Sequence, residues 1–387
     1  MGLMPTAALP LSLYVHLPWC VRKCPYCDFN SWTMGEDAPL GRYIDALLLD
    51  LEAEAERAAG RELVSIFIGG GTPSVFSPAQ IACVLEAVAK RFSRVADIEV
   101  TMEANPGTVE CGDPAGYRAA GVNRLSLGAQ SFSPSSLQAL GRIHSVDDIR
   151  RSFDAARSAG FDNINLDIMY GLPGQTTAGA MSDLTSAVGL APEHLSWYQL
   201  TLEPNTVFHT RPPAALPDED AVAGMQSQGQ ALLADNGYEQ YEVSAYARSG
   251  RRCRHNLNYW TYGDYLAVGA GAHGKLTDRT GTWRYAKPAH PRQYLEALRS
   301  REPAARLRPV GAPERLFEYL LNTVRLHDDI RENEFSARTG LSADLLRRRL
   351  RQPAANGLVE QSGRQTWRVT ALGRRFLNDL QAEFLPE

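Results

Sequence analysis

Three cysteines fall within eight residues, Cys20-Val21-Arg22-Lys23-Cys24-Pro25-Tyr26-Cys27, spaced by three residues and then by two. Thiolates this close suit a cubane iron–sulfur cluster, which is usually held by four cysteines. With three, one iron keeps an open coordination position that can bind a small chelating cofactor and pass it an electron. A zinc site asks for four ligands, more often in two separate pairs. There is no second pair here, although His16 is available as a fourth ligand. A disulfide would leave one thiol unpaired, and nothing marks the chain as secreted. The cluster is the better reading. Cys83, inside an apolar run, reads as a core helix residue. Cys111 sits in a Gly/Asp/Pro loop with no evident chemistry.

Other polar groups recur at regular intervals. Gly69-Gly70-Gly71 removes Cβ atoms where backbone must approach something closely, and its N–H and C=O groups suit an amino-acid-like ligand. Glu103 suits a ribose diol or an ammonium group. Gln130, Arg142 and Asp167 add an amide, a carboxylate-binding guanidinium and a second carboxylate. Taken singly, each reads about equally well as a turn cap, a surface ion pair or an interior hydrogen bond. Together they make a polar ring suited to a charged, zwitterionic cofactor.

These groups need elements to position them. Short β-rich runs at Leu11–Leu17, Leu63–Ile68, Ile98–Met102, Arg124–Leu127, Asn163–Ile168 and Leu195–Leu200 alternate with amphipathic runs. The latter predict helices over Tyr43–Arg57, Pro78–Phe92, Pro114–Ala120, Val146–Ala159, Ala178–Val188 and Asp218–Asn236. Pro78 and Pro114 suit first turns, and Gly121 and Gly160 suit C-terminal stops. The alternation predicts an α/β fold, a partial (β/α)6 barrel over 1–240, with a doubly wound open sheet as the alternative. Barrel chemistry gathers at the C-terminal strand ends, where the cysteines and the polar groups fall. Residues 241–303 read as a segment capping the barrel. After a linker around Arg301–Ala305 and Pro309–Pro313, residues 304–387 resemble a small α+β winged-helix module. Its Arg347, Arg348, Arg349 and Arg351 read as a solvated face rather than a DNA-binding one, so the module is expected to serve as a lid or docking domain.

Composition narrows the class. The chain has 387 residues, 44% hydrophobic and 22% charged, as in ordinary globular proteins. A net charge of −4 implies no nucleic-acid partner. Met1 to Pro10 lacks the pattern of a signal peptide, and no apolar run approaches a membrane span. The expected location is the cytoplasm, with reduced thiols.

The cysteine spacing is that of radical S-adenosylmethionine proteins. Leu13-Tyr14-Val15-His16-Leu17-Pro18-Trp19-Cys20, Ile68-Gly69-Gly70-Gly71-Thr72-Pro73, Met102-Glu103-Ala104-Asn105-Pro106-Gly107 and Gly141-Arg142-Ile143-His144 resemble the oxygen-independent coproporphyrinogen III oxidase family. The resemblance implies a [4Fe–4S] cluster on Cys20, Cys24 and Cys27, its open iron capped by S-adenosyl-L-methionine, with two such molecules able to bind. Tyr14, Gly70 and Glu103 would contact the first. Tyr26, Gly71, Thr72, Gln130, Arg142 and Asp167 would contact the second. Reductive cleavage to methionine and a 5′-deoxyadenosyl radical would be the cofactor's own chemistry.

The chain departs from the oxidases in three places. They carry a fourth cysteine two positions after the third, where this chain has Phe29. They have an N-terminal arm, whereas only 19 residues precede Cys20 here. They also lack the stretch His255-Asn256-Leu257-Asn258-Tyr259-Trp260. These departures resemble a sister group of heme chaperones, which pass heme to acceptor proteins, respiratory ones among them. No coproporphyrinogen oxidase activity is expected. The resemblance leaves room for a homodimer and for peripheral membrane association.

His255 is the expected heme ligand, on a mobile segment over the barrel mouth. Tyr259 and Trp260 would form an apolar wall and Asn256 would orient the ring. A lone histidine beside aromatic residues is more often simply packed, and His209 and His273 compete for the role. Cys253 matches no covalent heme attachment spacing.

Overall fold

The structure, a computed structural model, describes residues 9–107, 112–300 and 305–385. Cys111, most of the linker at 301–304 and the first eight residues, on which the reading against a signal peptide rests, lie outside them. Six strands form the frame: β1 (Leu11–Leu17), β2 (Leu63–Gly70), β3 (Arg94–Ala104), β4 (Arg124–Gln130), β5 (Ile164–Tyr170) and β6 (His194–Gln199). They are neighbours in chain order and all parallel. Helices Leu40–Ala58, Pro78–Arg91, Pro114–Ala120, Val146–Ser158 and Thr177–Gly189 make the crossovers. This is the predicted α/β arrangement, a partial (β/α)6 barrel followed by a small α+β domain.

Local chemistry sets the helix ends. Ser77 and Gln80 close a capping box before Pro78, and Ser145 and Asp148 do the same before Val146. Gly121 stops the short helix at φ +109°. Cys83 lies on the predicted helix but is exposed, a correction to its reading as a core residue. The helix turns Ile81, Val84, Leu85 and Val88 to the sheet and leaves Cys83 on the outside.

Strand alternation divides the sheet into two faces. Leu11, Leu13, Val15 and Leu17 of β1 join the apolar core. The other face carries Ser12, Tyr14 and His16 on β1, Ser65 and Phe67 on β2, and Glu99, Thr101 and Glu103 on β3. The barrel interior is therefore polar, unusual for a packed core.

The sheet extends past these six strands. β7 (Glu239–Glu242) and β8 (Ala245–Ala247) continue antiparallel from β6. β9 (Asp264–Val268) lies parallel to β1, and β10 (His273–Thr277), β11 (Thr282–Ala286) and β12 (Arg308–Pro309) follow antiparallel. The expected boundary at 240 falls inside β7, and residues 241–300 build sheet as well as covering it. A buried clasp joins this extension to the first helix. Lys287 Nζ donates to Asp50 at 2.5 Å and to Glu54 at 2.7 Å, while Tyr294 donates to Asp50 at 2.8 Å. Tyr43 donates to the carbonyl of His16 and accepts from Ala270 N–H. Gly269, at φ +103°, packs so tightly that a Cβ would stand 2.3 Å from the His16 carbonyl oxygen.

Helices Ala312–Thr323, Glu332–Thr339 and Ala343–Ala355 and the hairpin Val359–Gly363/Thr366–Val369 form the last domain, with Ile330–Arg331 on the sheet edge. Leu320, Phe335, Leu346 and Leu350 are the centre of a second core. Thr370 caps the helix that follows the hairpin, accepting from Gly373 N–H, and that helix breaks at Phe376. Arg347 is engaged by Glu332 and Asp344.

Candidate functional site

The C-terminal strand ends surround a cavity of about 330 Å³. Its rim is the loop after β1, with Cys20, Cys24, Tyr26 and Cys27. Three hydrogen bonds hold this loop. His16 Nε2 lies 2.8 Å from the Asn30 carbonyl, and Asn30 donates to the carbonyls of Ala270 at 3.0 Å and Ala289 at 2.9 Å. The loop's end is thus tied to the β9–β10 connection. Burial pushes the Cys20 thiol up to about 11 and raises that of Cys27. Phe29, where the oxidases have a cysteine, is 56% exposed beside the cavity.

Gly71 and Thr72 reach the cavity wall, and Gly70 lies behind it. Gly70 has φ +124°, and a Cβ there would meet the Leu17 carbonyl and the His16 ring at 2.8 Å. A Cβ on Gly71 would meet the Trp19 carbonyl oxygen at 2.6 Å and Cys20 Sγ at 2.9 Å. The glycines are demanded by the close pass of two backbones. Their N–H groups are already used: Gly70 donates to Glu103 Oε2 at 3.1 Å, Gly71 to the Leu17 carbonyl and Thr72 to the Trp19 carbonyl, both at 2.8 Å. That corrects the expectation that these N–H groups await a ligand.

The polar ring closes around the same space. Burial, and then the nearby Asp167, push Glu103 up to about 8. Asp167 is itself raised by burial, and accepts from Ser126 at 3.0 Å and Asn165 at 2.8 Å. Gln130 has φ +68°, a left-handed conformation that non-glycine residues rarely hold, and accepts from Tyr198 at 2.7 Å. Arg142 spans the cavity edge, donating to Asn105 Oδ1 at 2.7 Å, to the Gly128 carbonyl at 2.9 Å and towards Cys24 Sγ at 3.5 Å. Asn105 then donates to Thr72 at 3.0 Å. Asn105, Tyr198 and Asn30 were not singled out from the sequence. Asn105 alone carried a signal there, its position two residues after Glu103.

Tyr14 stands apart from the cavity wall, its hydroxyl 2.9 Å from His16 Nδ1. His255 also lies elsewhere than expected. It belongs to the helix Arg254–Trp260, which closes the barrel at the N-terminal strand ends. Asn258 anchors that helix by donating to Ser12 and the Asp264 carbonyl. His255 Nδ1 is 3.2 Å from Ser65 Oγ, and its ring neighbours are Phe67 at 5.1 Å and Tyr14 at 6.3 Å. Tyr259 and Trp260 turn the other way, towards Tyr265 and Arg325. Asn256 lines the cavity. Burial lowers His255 to about 3. His209 and His273 are exposed.

The Radical SAM superfamily pattern matches residues 14–181, and that of the HemN C-terminal domain matches 311–376. Heme chaperone HemW of Escherichia coli is 47% identical over 98% of this chain and 99% of its own length. The Haemophilus influenzae HemW is 46% identical over 98% of each chain, and that of Bacillus subtilis 32% identical over 97% and 99%. The solved coproporphyrinogen III oxidase (HemN) of Escherichia coli, described as a radical SAM enzyme, superposes with a TM-score of 0.82 at 25% identity, covering 97% of this chain and 90% of its own. With near-complete coverage at up to 47% identity, the chain belongs to the HemW family of heme chaperones, within the radical SAM superfamily.

Proposed function

We propose that this protein binds heme and transfers it to an acceptor protein, and that it carries a [4Fe–4S] cluster on Cys20, Cys24 and Cys27 with S-adenosylmethionine beside it. The observation that supports this reading most is the convergence of the three thiols and the polar ring on one cavity. The donor set fits the group. Among the described residues no three His, Cys, Asp or Glu side chains are placed to hold a single metal ion. Thiols spread around a wall suit the larger cubane instead. Cys20 is buried and Cys27 half-buried, and both resist ionisation, so a cationic partner is what would make them thiolates.

When bound, the cluster supplies one electron to S-adenosylmethionine. The chain's own residues bind and orient. Glu103 takes a cationic group of the first cofactor molecule, with Tyr14 and Gly70 shaping its position. Tyr26, Gly71, Thr72, Gln130, Arg142 and Asp167 are assigned to the second. His255 is assigned to heme as a neutral imidazole, its Nδ1 steadied by Ser65. The acceptor is expected to be a respiratory protein, and the place of work the cytoplasm; peripheral membrane contact and a homodimer belong to the same reading. No nucleic-acid role is proposed. Among the described residues no helix is long and apolar enough to cross a membrane.

Anaerobic reconstitution followed by titration with heme and S-adenosylmethionine tests the reading. The protein should turn brown with about four irons per chain. Replacing any one of the three cysteines by Ala should remove most of that iron. A colourless protein with one zinc would refute the cluster.

A further inference from the structure

A buried guanidinium without a hydrogen bond stands at the closed end of the barrel, its charge favoured by Glu99 and Asp167 nearby. Arg124 opens β4 and is 2% exposed. Among the described residues its guanidinium makes no hydrogen bond or ion pair, and its Nε is fully enclosed. Thr101, its register partner on β3, is 0% exposed, and its Oγ1 is likewise without a partner. Enclosing polar N–H and O–H groups without hydrogen-bond partners is costly, so the arrangement asks for an acceptor.

The acids nearby act on its charge but accept their hydrogen bonds from other groups. Glu99 Oε1 accepts from Arg254 N–H at 2.9 Å, His255 N–H at 3.3 Å and Cys253 Sγ at 3.6 Å, which caps the closing helix. Asp167 is held by Ser126 and Asn165. His194 is committed too, at 2.6 Å from Asn165 and 2.8 Å from Tyr241. Arg124 lines the same cavity as the cysteines. Seven residues of β4, at about 3.3 Å each, put it about 20 Å from the mouth at Gln130. A ligand reaching it must extend a long way in from the cysteine end.

We propose that Arg124 and Thr101 form a carboxylate-binding position at the closed end of the cavity, filled by a carboxylate of a ligand that enters from the mouth. The identity of that ligand rests on the heme and S-adenosylmethionine reading. A tetrapyrrole propionate is one source of that carboxylate. The cofactor's own carboxylate is the other source of the same chemistry.

Heme and its dimethyl ester, titrated against the reconstituted full chain, separate the cases. Wild type should bind heme about tenfold or more tighter than the diester, the usual weight of a charge-assisted hydrogen bond. Arg124→Gln should erase that preference by weakening heme alone, with its iron content unchanged. In the second arm, a matching loss of S-adenosylmethionine affinity with heme unaffected would assign the position to the cofactor. The wild-type comparison of heme with its diester needs no variant, so it stands even if Arg124→Gln misfolds. Equal affinity of wild type for heme and diester, with S-adenosylmethionine bound unchanged by Arg124→Gln, would overturn the position while leaving the chaperone reading intact. Failure of wild type to bind either porphyrin would instead sink the heme reading, and the cofactor arm would still decide the position.

Discussion

Glu103 is pulled in two directions. The Gly70 N–H favours its carboxylate, whereas burial and then Asp167 favour the neutral acid and put it at about 8. The folded protein therefore holds a proton on Glu103 that the unfolded chain releases near the ordinary value of 4.5. This contribution to stability is complete below pH 4.5 and is lost as pH rises through about 8. Glu103→Gln should raise the melting temperature of the ligand-free protein at pH 8.5 and change it little at pH 5. Equal effects at both pH values would count against a protonated Glu103. The same variant should weaken S-adenosylmethionine about tenfold or more, since a cationic group loses its carboxylate. Calorimetry in buffers of different ionisation enthalpy should show proton release on binding to wild type at pH 7 and little with the variant. Gly70 is a poorer probe, because any Cβ there strikes the Leu17 carbonyl before it reaches a ligand.

His255 is held neutral by burial, down to about 3, so pH changes between 5 and 9 should leave its ligating state unchanged. His255→Ala should shift the Soret band and weaken heme retention while the iron–sulfur content stays at the wild-type level. A wild-type heme spectrum in that variant, with loss in His209→Ala or His273→Ala, would move the ligand elsewhere.

Elements differ in how plainly the sequence announces them. All six barrel strands overlap their predicted runs, because each is a short β-rich run set between helical stretches and polar punctuation. β3 is longer than expected, Arg94–Ala104 against Ile98–Met102, since its first half is mostly exposed and lacks an apolar signal. β9 to β11 were missed. β9 is only five residues, and β11 interleaves Arg284 and Tyr285 with no apolar run. What recruits them is tertiary: the Lys287 clasp and the Gly269 approach join residues more than 200 apart. The glycines, Glu103 and the cysteines were legible as chemistry. The roles of Asn30 and Tyr198 were not, because each depends on a partner brought in by the fold. Lys287→Met should cost about 3–5 kcal/mol in denaturant unfolding, as it leaves the buried Asp50 without its cation and Glu54 with Arg57 alone. Tyr294→Phe should cost about 1 kcal/mol. A Lys287→Met cost below that of Tyr294→Phe would mean that the clasp is not what holds the extension.

At the scale of the whole molecule, one barrel interior links two ends of different character. The mouth holds thiols and exposed Phe29; the closed end holds Arg124 and is sealed by the helix that carries His255. The last domain docks onto that sealing region. Tyr262 donates to Glu318 at 2.7 Å, Arg284 pairs with the same Glu318 at 2.9 Å, and Asn322 donates to the Tyr259 carbonyl at 3.2 Å. Motion of the C-terminal domain would therefore bear on the helix carrying His255, as a lid or docking domain requires. With Phe29 in place of a fourth cysteine, the protein should not convert coproporphyrinogen III to protoporphyrinogen IX under anaerobic, reducing conditions. Sustained multiple-turnover product would instead mark it as an oxidase. Heme transfer is tested by mixing the reconstituted, heme-loaded protein with a heme-free b-type respiratory cytochrome and following the Soret band. Faster and more complete filling than from an equal amount of free heme, lost in Cys24→Ala protein loaded with the same heme, is the predicted result; filling no faster than from free heme would contradict it.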